Sequence, residues 1–254
     1  MPQLNELDWD SQFFGMKVAR VDGEINSTSD LDMVEAATGS SQLSLTYLFQ
    51  SEKLDPELLY HGGLEIQEVG SQLTFSKAVS SNTIISPELD LCNWDFDNHS
   101  LKSLSISAGT FSRFHLDPRI ENSKFQELYQ LWIQNSVLSD LADKVYVYRV
   151  NQQAVAMITL GKKNSRASIG LIAVNPDHQG KGIGRVLLEA AEHWANKEGF
   201  QEIEVITQGE NEGACKFYES YGFSRDSLKY VYHIWNTTVN PNRFKSRGAR
   251  TTLD

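Results

Sequence analysis

The clearest pattern of hydrophobic and polar positions lies in the second half of the chain. One segment there repeats its apolar residues at three- and four-residue steps: Ile183, Val186, Leu187, Ala190, Ala191, Trp194 and Ala195. This spacing predicts an amphipathic helix that ends near Gly199. The segment 167–174 before the helix and the segment around Ile203 and Val205 after it are predicted strands.

Four further elements are predicted in this half. They are a helix after the N-cap Ser123 with its capping-box partner Gln126, a hairpin joining 145–150 to 154–160, a short helix from Ala214 to Tyr221 ended by Gly222, and a last strand over 229–235. The order is three strands, helix, strand, helix, strand. It predicts an α/β (α+β) fold in which a mixed sheet has flanking helices.

The first 80 residues predict a smaller α/β module. Its predicted elements are strands over 18–21 and 43–49, helices over 30–37 and 55–60, and a hairpin of 64–69 with 72–78 around Gly70-Ser71. Residues 81–104 lack sustained periodicity, so a linker is predicted there. The expected organisation is therefore a module over 1–80, the linker, and a larger domain over 105–254 with a basic tail from about residue 236.

Charge separates the two halves further. Residues 1–104 hold 5 basic and 17 acidic residues, a net charge of −12, whereas residues 105–254 hold 18 basic and 16 acidic residues, a net charge of +2. An acidic first half disfavours nucleic acid and anionic membranes as partners. A cytoplasmic protein is expected, because the chain shows no 18-residue apolar run, no secretory leader and no cysteine framework.

A glycine-rich loop is the segment most suggestive of chemistry. It joins the strand 167–174 to the long helix and has glycines at positions 180, 182 and 184, which fits neither the P-loop nor the dinucleotide-binding pattern. Glycines let a backbone approach a ligand closely, and the first N–H groups of a helix favour an anion. The loop therefore favours a pyrophosphate, with a plain strand-to-helix turn as the alternative.

Two spaced motifs carry a family resemblance. Residues 174–184 follow V-x-P-x-x-Q-x-x-G-x-G, and residues 211–223 follow N-x-x-A-x-x-F-Y-x-x-x-G-F. Together they resemble the GNAT superfamily of acyl-CoA-dependent N-acyltransferases over about residues 124–235. The resemblance implies a GNAT-like mixed sheet with flanking helices, preceded by a smaller, incomplete GNAT-like module. It also implies acetyl-CoA or a longer acyl-CoA as co-substrate.

The resemblance assigns roles to particular residues. Tyr218 would protonate the departing thiolate, with packing on the apolar stripe of its helix as the alternative. Asn211 would contact the pantetheine arm, with helix N-capping as the alternative or additional role. The residues implied to hold acyl-CoA are Ile172, Val174, Gln179, Gly180, Lys181, Gly182, Ile183, Gly184 and Asn211.

A narrower resemblance concerns the acceptor. Residues 8–15 and 112–119 are similar to segments of the TDP-fucosamine acetyltransferase group, bacterial enzymes that acylate the amino group of a dTDP-linked aminodideoxy sugar. The resemblance implies this acceptor, in the biosynthesis of a bacterial surface polysaccharide such as the O-antigen of lipopolysaccharide. Arg113 and Arg119 would then hold the phosphates and Asp117 a sugar hydroxyl or the amine, with surface salt bridges as the alternative.

Other hypotheses remain open from the sequence. The strand 167–174 has no carboxylate, so ordered water or a residue from elsewhere would deprotonate the amine. The acceptor alternatives are a protein N-terminus and a small polyamine, and a non-catalytic acyl-CoA sensor is a further hypothesis. The histidines show no metal-ligand spacing, so no metal is expected, and Cys215 is predicted to be a small buried residue. An exposed sheet edge would allow a homodimer.

Overall fold

The structure is a computed structural model that describes residues 2–81, 85–139 and 141–239. These residues form two compact units. The first comprises residues 2–71, 117–119 and 229–239, and the second comprises the described residues of 72–116 and 120–228. The basic residues of the expected tail, which are Arg243, Lys245, Arg247 and Arg250, lie outside the described part of the chain.

The described residues contain the following elements. The strands are β1 (Gln3–Glu6), β2 (Val18–Asp22), β3 (Leu45–Gln50), β4 (Tyr60–His61), β5 (Leu64–Ala78), β6 (Leu89–Leu91), β7 (Lys144–Val150), β8 (Gln153–Lys163), β9 (Arg166–Val174), β10 (Glu202–Thr207) and β11 (Ser224–Asn236). The α-helices are α1 (Asp8–Phe14), α2 (Thr28–Ser40), α3 (Trp94–Ala108), α4 (Arg113–Leu116), α5 (Asn122–Leu138), α6 (Ile183–Lys197) and α7 (Glu212–Tyr221). Short 3₁₀ turns cover Pro56–Leu59 and Pro176–His178.

The first unit is a small mixed sheet. Its strands lie in the order β1-β2-β3-β11-β5, and β4 pairs with β5. The pair β2 and β3 is parallel, whereas β1 with β2 and β3 with β11 are antiparallel. Leu31 and Val34 of α2 pack in one buried cluster with Leu48 of β3 and with Tyr232 and Ile234 of β11. The predicted strands and helix of this region are confirmed, and the predicted helix over 55–60 is a 3₁₀ turn.

The predicted hairpin around Gly70-Ser71 is wrong, because β5 is one continuous strand of 15 residues. Burial alternates with period two straight through the expected turn, at Val69, Ser71, Leu73 and Phe75. Gly70 has a φ of 115°, which is a local irregularity within the strand and not a reversal of the chain.

The second unit contains a mixed sheet with helices. Its strands lie in the order β5-β10-β9-β8-β7-β6, where β9 and β10 are parallel and the other pairs are antiparallel. The core combines buried residues of α6, such as Leu187 and Trp194, with Ile158 of β8, Ile169 of β9 and Val205 of β10. The predicted mixed sheet, the long helix and its end before Gly199 are confirmed. Gly199 has a φ of 82°, which suits a residue just past a helix C-terminus.

Two local predictions differ from the structure. The segment 81–104, expected to be a linker, contains β6 and the start of α3. Helix α3 is fixed by capping, since the Asn93 side chain accepts from the Asp95 N–H at 3.1 Å and the Asp97 carboxylate accepts from the Asn93 N–H at 3.0 Å. Helix α5 begins at Asn122 with Glu121 as N-cap, so the predicted capping role of Ser123 is wrong.

The predicted hairpin of the second unit is confirmed. Asn151 and Gln152 connect β7 to β8 and have φ values of 51° and 67°. Two consecutive residues at positive φ are typical of the tight turn that suits the twist of a hairpin. None of the helices in the described residues is both long enough and apolar enough to span a membrane.

Candidate functional site

The candidate site is an opening between two parallel strands of the second unit. Residues 167–169 of β9 pair in register with residues 203–205 of β10. Beyond this point β9 continues to Val174, whereas β10 stays paired with β5 as far as Thr207. Over the described residues of both strands, the ladder between them therefore ends before the strands do, and a gap opens.

Ile172 and Val174 direct their backbone polar groups to this gap. Asn175 donates its N–H to the Val155 carbonyl oxygen of β8 at 2.8 Å, and Ala173 occupies the preceding bonding position of the β8–β9 ladder. In an antiparallel pair, residues that bond the neighbouring strand alternate with residues whose N–H and C=O point the other way. The main-chain groups of Ile172 and Val174 therefore face away from β8, on the side of β10.

The glycine-rich loop follows β9 directly. Gln179 donates a side-chain N–H to the Val174 carbonyl oxygen at 3.1 Å, which ties the loop to the end of the strand. Gly180 and Gly182 have φ values of 73° and 82°, and among the described residues no atom beyond those of the adjacent residues lies within 4 Å of the position that a Cβ would take at either one. These two glycines thus supply a backbone conformation and an open approach, as the sequence predicts.

The loop leads into the N-terminus of α6. Gly182 is the N-cap and, within the described part of the chain, no side chain caps the helix. Arg185 donates its N–H to the Gly182 carbonyl oxygen at 3.0 Å, whereas the N–H groups of Ile183 and Gly184 precede the first acceptor of the helix, which suits an anionic ligand. The Ile183 side chain is buried in the core, so this residue offers only its backbone. Lys181 is exposed and donates from Nζ to the Asp177 carbonyl oxygen at 2.8 Å.

Gly184 serves a different purpose from the other two glycines. A Cβ placed at Gly184 would lie 2.9 Å from Cζ of the Phe217 ring on α7. The absent side chain thus lets the first turn of α6 pack closely against α7. The packing contact explains why Gly184 has no side chain, and the predicted contact of its backbone with acyl-CoA stays a prediction.

Asn211 and Tyr218 lie at the start and in the middle of α7. The Asn211 side chain accepts the Ala214 N–H at 3.1 Å, so its predicted N-capping role is confirmed. Tyr218 is 3% exposed, and its ring contacts those of Phe75, Phe217 and Phe223 at centroid distances of 5.7, 5.4 and 5.8 Å.

The protonation state of Tyr218 follows from this burial. Loss of solvent raises the pKa of the Tyr218 phenol above its ordinary value, and the nearby Cys215 adds to the rise. The hydroxyl is therefore protonated at neutral pH. Tyr218 shares one buried cluster with Ile183, and Ile172 and Val174 pack against that cluster. The structure thus brings the predicted loop, strand and tyrosine together in the second unit.

A bulge in β9 was not predicted from the sequence. Ile158 lies opposite Ile172 and Leu160 lies opposite Ile169, so Thr159 faces two residues, Gly170 and Leu171. Leu171 donates its N–H to Oγ1 of Thr159 at 2.7 Å. A bulge depends on the pairing of two strands, and a threonine within an apolar run gives no local signal of it.

Asp117 and Arg119, two of the residues expected to bind substrate, form a network in the first unit. Asp117 is fully buried, and its carboxylate bonds Nδ1 of His233 at 2.6 Å, Nε1 of Trp235 at 2.9 Å and the Arg119 N–H at 2.8 Å. Arg119 forms an ion pair with Glu65. Burial alone would raise the pKa of Asp117, but these hydrogen bonds lower it overall.

The Asp117 carboxylate is therefore buried and fully engaged by residues of the first unit. The predicted role of Asp117 in binding the sugar does not fit these contacts. Arg113 lies on α4 in the second unit, with its guanidinium 4.4 Å from the centroid of the Phe114 ring. The structure therefore assigns Asp117 and Arg119 to one unit and Arg113 to the other.

Replacing Asp117 by asparagine should destabilise the protein. The change removes the charge that accepts three hydrogen bonds in the core, and we expect the free energy of unfolding to fall by about 3 kcal/mol in urea denaturation at pH 7. The control Asp55→Asn, at an exposed position of the same unit, should change it by less than about 0.5 kcal/mol. Because the folded-state pKa of Asp117 is lowered, its contribution is present above pH 4 and is lost as the pH falls further. Equal stability of Asp117→Asn and the parent at pH 7 would contradict this account.

Cys215 is buried, as predicted, and its thiol lies 3.7 Å from the Gln208 carbonyl oxygen. Burial raises the pKa of Cys215, which disfavours the nucleophilic thiolate. Among the residues that the structure describes, no three His, Cys, Asp or Glu side chains are grouped to hold a metal ion.

Comparison with known proteins defines the class of protein. Residues 109–223 match the model of the Acetyltransferase (GNAT) family, so the chain contains a GNAT acetyltransferase domain. This is the domain that holds the opening, the glycine-rich loop and α7. The family and the acetyltransferases among its relatives make the protein an N-acyltransferase by class.

Particular relatives narrow the comparison. The chain is 26% identical to the dTDP-fucosamine acetyltransferase of Escherichia coli over 231 residues, which cover 89% of this chain and 96% of that enzyme. It is 26% identical to the spore coat polysaccharide biosynthesis protein SpsD of Bacillus subtilis over 139 residues, 55% of this chain and 48% of that protein. The solved structure of a GCN5-related N-acetyltransferase from Sphaerobacter thermophilus has the same fold, with a TM-score of 0.54 and 11% identity over 91% of this chain and 75% of that one.

Proposed function

We propose that this protein transfers an acyl group from acyl-CoA to the amino group of a dTDP-linked amino-dideoxyhexose, as a step in building a bacterial surface polysaccharide. The observation that supports acyl transfer is the gap between β9 and β10. Ile172 and Val174, which line the gap, pack against the same buried cluster that contains Tyr218 and Ile183 at the start of α6. The sugar-linked acceptor is supported by similarity to dTDP-fucosamine acetyltransferase along nearly the whole of that enzyme. The catalytic site is assigned to the second unit.

Acyl-CoA fits the gap and the loop together. Its pyrophosphate would meet the N–H groups of the loop at Gly180 and Gly182 and those of the first turn of α6. Its pantetheine arm has amide groups, which would pair with the N–H and C=O of Ile172 and the N–H of Val174 at the gap, as an added strand does; the Val174 carbonyl oxygen already accepts from Gln179. The Nδ2 group of Asn211 would reach the same arm while Oδ1 caps α7.

The proposed reaction is a direct transfer. The lone pair of the neutral amine forms a bond to the thioester carbonyl carbon, the C–S bond then breaks as the carbonyl reforms, and the nitrogen gives one proton to water. The thiolate that leaves has a conjugate acid of pKa about 8.5, so a proton donor lowers the cost of its departure. Tyr218 is the proposed donor, because its phenol is protonated at neutral pH and can donate a hydrogen bond or a proton to the departing sulfur; it would regain a donated proton from water.

A polar row lies on the face of the sheet opposite α6. Ile203 and Val205 of β10 pack with α6, so the intervening Glu204 faces the other way. The strand registers place Ser76 of β5 and Ser168 of β9 on the two sides of Glu204. Glu204 is buried, whereas Ser76 and Ser168 are partly exposed, so hydroxyl groups of a sugar would find their hydrogen-bond partners at the two serines.

Glu204 is not assigned as the base. Its carboxylate lies 3.4 Å from Nζ of Lys163 and 3.7 Å from the Arg166 guanidinium, so it already forms ion pairs with two cations. We propose that the amine loses its proton to water before attack.

Gly182→Ala should weaken binding of acetyl-CoA about tenfold in a calorimetric titration. The alanine would be strained at the positive φ of this position by about 1–2 kcal/mol, and relief of that strain would turn the N–H groups of the loop. Gly199→Ala is the matched control, since Gly199 has the same φ of 82° at the other end of α6 and also has open space around its Cβ position. The control should lose stability and keep its affinity. If both variants bind acetyl-CoA with equal affinity, the glycine-rich loop does not contribute to the binding site.

A thiol-release assay tests the proposed function. The protein would be incubated with acetyl-CoA and, separately, with dTDP-3-amino and dTDP-4-amino dideoxyhexoses, spermidine, and a peptide with a free N-terminus. Release with one amino sugar supports the proposal and fixes the position of the amine. Thiol release with spermidine or the peptide alone would contradict the sugar acceptor, and the protein would still be an N-acyltransferase.

If no acceptor causes thiol release, with acetyl-CoA or with longer acyl-CoAs, and acyl-CoA still binds, the acyl-CoA sensor would be favoured. The homodimer stays a prediction, and sedimentation equilibrium of the full chain would check it.

A further inference from the structure

The bulge in β9 decides which backbone groups of that strand reach the gap. On one side of the bulge, Gly161 of β8 lies opposite Ser168, and on the other side Met157 lies opposite Ala173. Without the extra residue, the first register would continue and Met157 would lie opposite Ile172. The N–H and C=O groups of Ile172 would then form hydrogen bonds with β8 and would not face the gap.

The side chain of Thr159 holds the bulge. Thr159 is 2% exposed, and its Oγ1 accepts the N–H of Leu171 at 2.7 Å. The extra residue turns this N–H towards β8, where the Thr159 hydroxyl supplies its acceptor.

Gly170 completes the arrangement. A Cβ at this residue would lie 2.7 Å from Oγ1 of Thr159, closer than real Cβ atoms approach. The absence of a side chain at Gly170 therefore leaves the space that the Thr159 hydroxyl needs to reach the Leu171 N–H.

We propose that Thr159 is a positioning residue of the site, whose hydroxyl fixes the bulge so that Ile172 and Val174 present their backbone groups to the pantetheine arm. The inference rests on the proposed function for the identity of the ligand, and on the geometry alone for the bulge. Thr159 acts through β9 and does not itself meet acyl-CoA.

The test compares Thr159→Val, which keeps the shape and removes the acceptor, with Thr159→Ser, which keeps the hydroxyl. Two probes would be titrated by calorimetry: CoA, and 3′-phospho-ADP, which lacks the pantetheine arm. We expect Thr159→Val to weaken CoA about tenfold and 3′-phospho-ADP by less than about twofold. Thr159→Ser should bind both probes as the parent does. The control Thr46→Val changes an equally buried threonine of the first unit and should alter neither affinity.

Amide hydrogen exchange at Leu171 gives a readout that needs no ligand. Exchange should be about tenfold faster in Thr159→Val than in the parent and unchanged in Thr159→Ser. Unchanged exchange in Thr159→Val would overturn the anchoring role. Faster exchange with an unchanged affinity for CoA would overturn the link to binding, and failure of the parent to bind CoA would instead overturn the proposed function. Should Thr159→Val fail to fold, Gly170→Ala probes the same contact from β9 and should likewise weaken CoA more than 3′-phospho-ADP.

Discussion

Tyr218→Phe should lower kcat about a hundredfold and leave the Kd for acyl-CoA within about twofold of the parent value. The phenylalanine keeps the ring that packs against Phe75, Phe217 and Phe223, so the core of α7 is preserved. The lost group is a hydroxyl that burial holds protonated. The loss should therefore appear in the step that expels the thiolate and not in binding. Steady-state thiol release together with calorimetry would separate the two.

Tyr221→Phe is the matched control on the same helix. Its hydroxyl donates to Oε2 of Glu192 at 2.7 Å, and Lys77 pairs with the other oxygen of that carboxylate. Removal of this hydroxyl should lower the free energy of unfolding by about 1 kcal/mol and leave kcat within about twofold. Tyr218→Phe should show the opposite pattern. An unchanged kcat in Tyr218→Phe would remove Tyr218 from the mechanism and leave it as a core residue.

The elements that could be predicted from the sequence are those set by local patterns. Helix α6 has an apolar stripe that continues over four turns, and its ends are marked by Gly182 and Gly199. The hairpin of β7 and β8 needs two residues that tolerate positive φ, which Asn151 and Gln152 supply. Such signals lie within a few residues of the structure they determine.

The features that were missed depend on partners distant in sequence. Gly70-Ser71 is a common turn signal, yet β5 runs straight through it because its later residues pair with β10 about 130 positions along the chain. Asp117 stands in a segment that suggests substrate binding, but its partners are His233 and Trp235. The role of Thr159 follows from a register shift between β8 and β9 that no local pattern encodes.

The glycine-rich loop shows both cases within five residues. Gly180 and Gly182 could be predicted, because positive φ and open space are what a loop glycine ordinarily supplies. Gly184 could not, since its reason lies in the ring of Phe217 on another helix. The motif that carries the resemblance to the GNAT family specifies glycine at 182 and 184, without distinguishing these reasons.

Gly184→Val should lower both stability and turnover. The added methyl groups would collide with the Phe217 ring, which a Cβ alone would approach to 2.9 Å. Overpacking of this kind costs about 1–3 kcal/mol in the free energy of unfolding. Because Phe217 and Tyr218 are neighbours on α7, displacement of the ring should also shift the phenol, and we expect kcat to fall about thirtyfold. Urea denaturation and thiol release measure the two effects.

The contact with Phe217 can be tested by restoring the space that valine fills. Gly184→Val combined with Phe217→Leu should recover most of the lost stability and at least about tenfold in kcat, so the two changes should be strongly non-additive. Gly39→Val is the control, because Gly39 is also helical and, within the described part of the chain, no atom outside its own stretch of helix lies within 4 Å of its Cβ position. It should leave kcat unchanged. If the double variant is no more active than Gly184→Val alone, the third glycine acts on the ligand and not through α7.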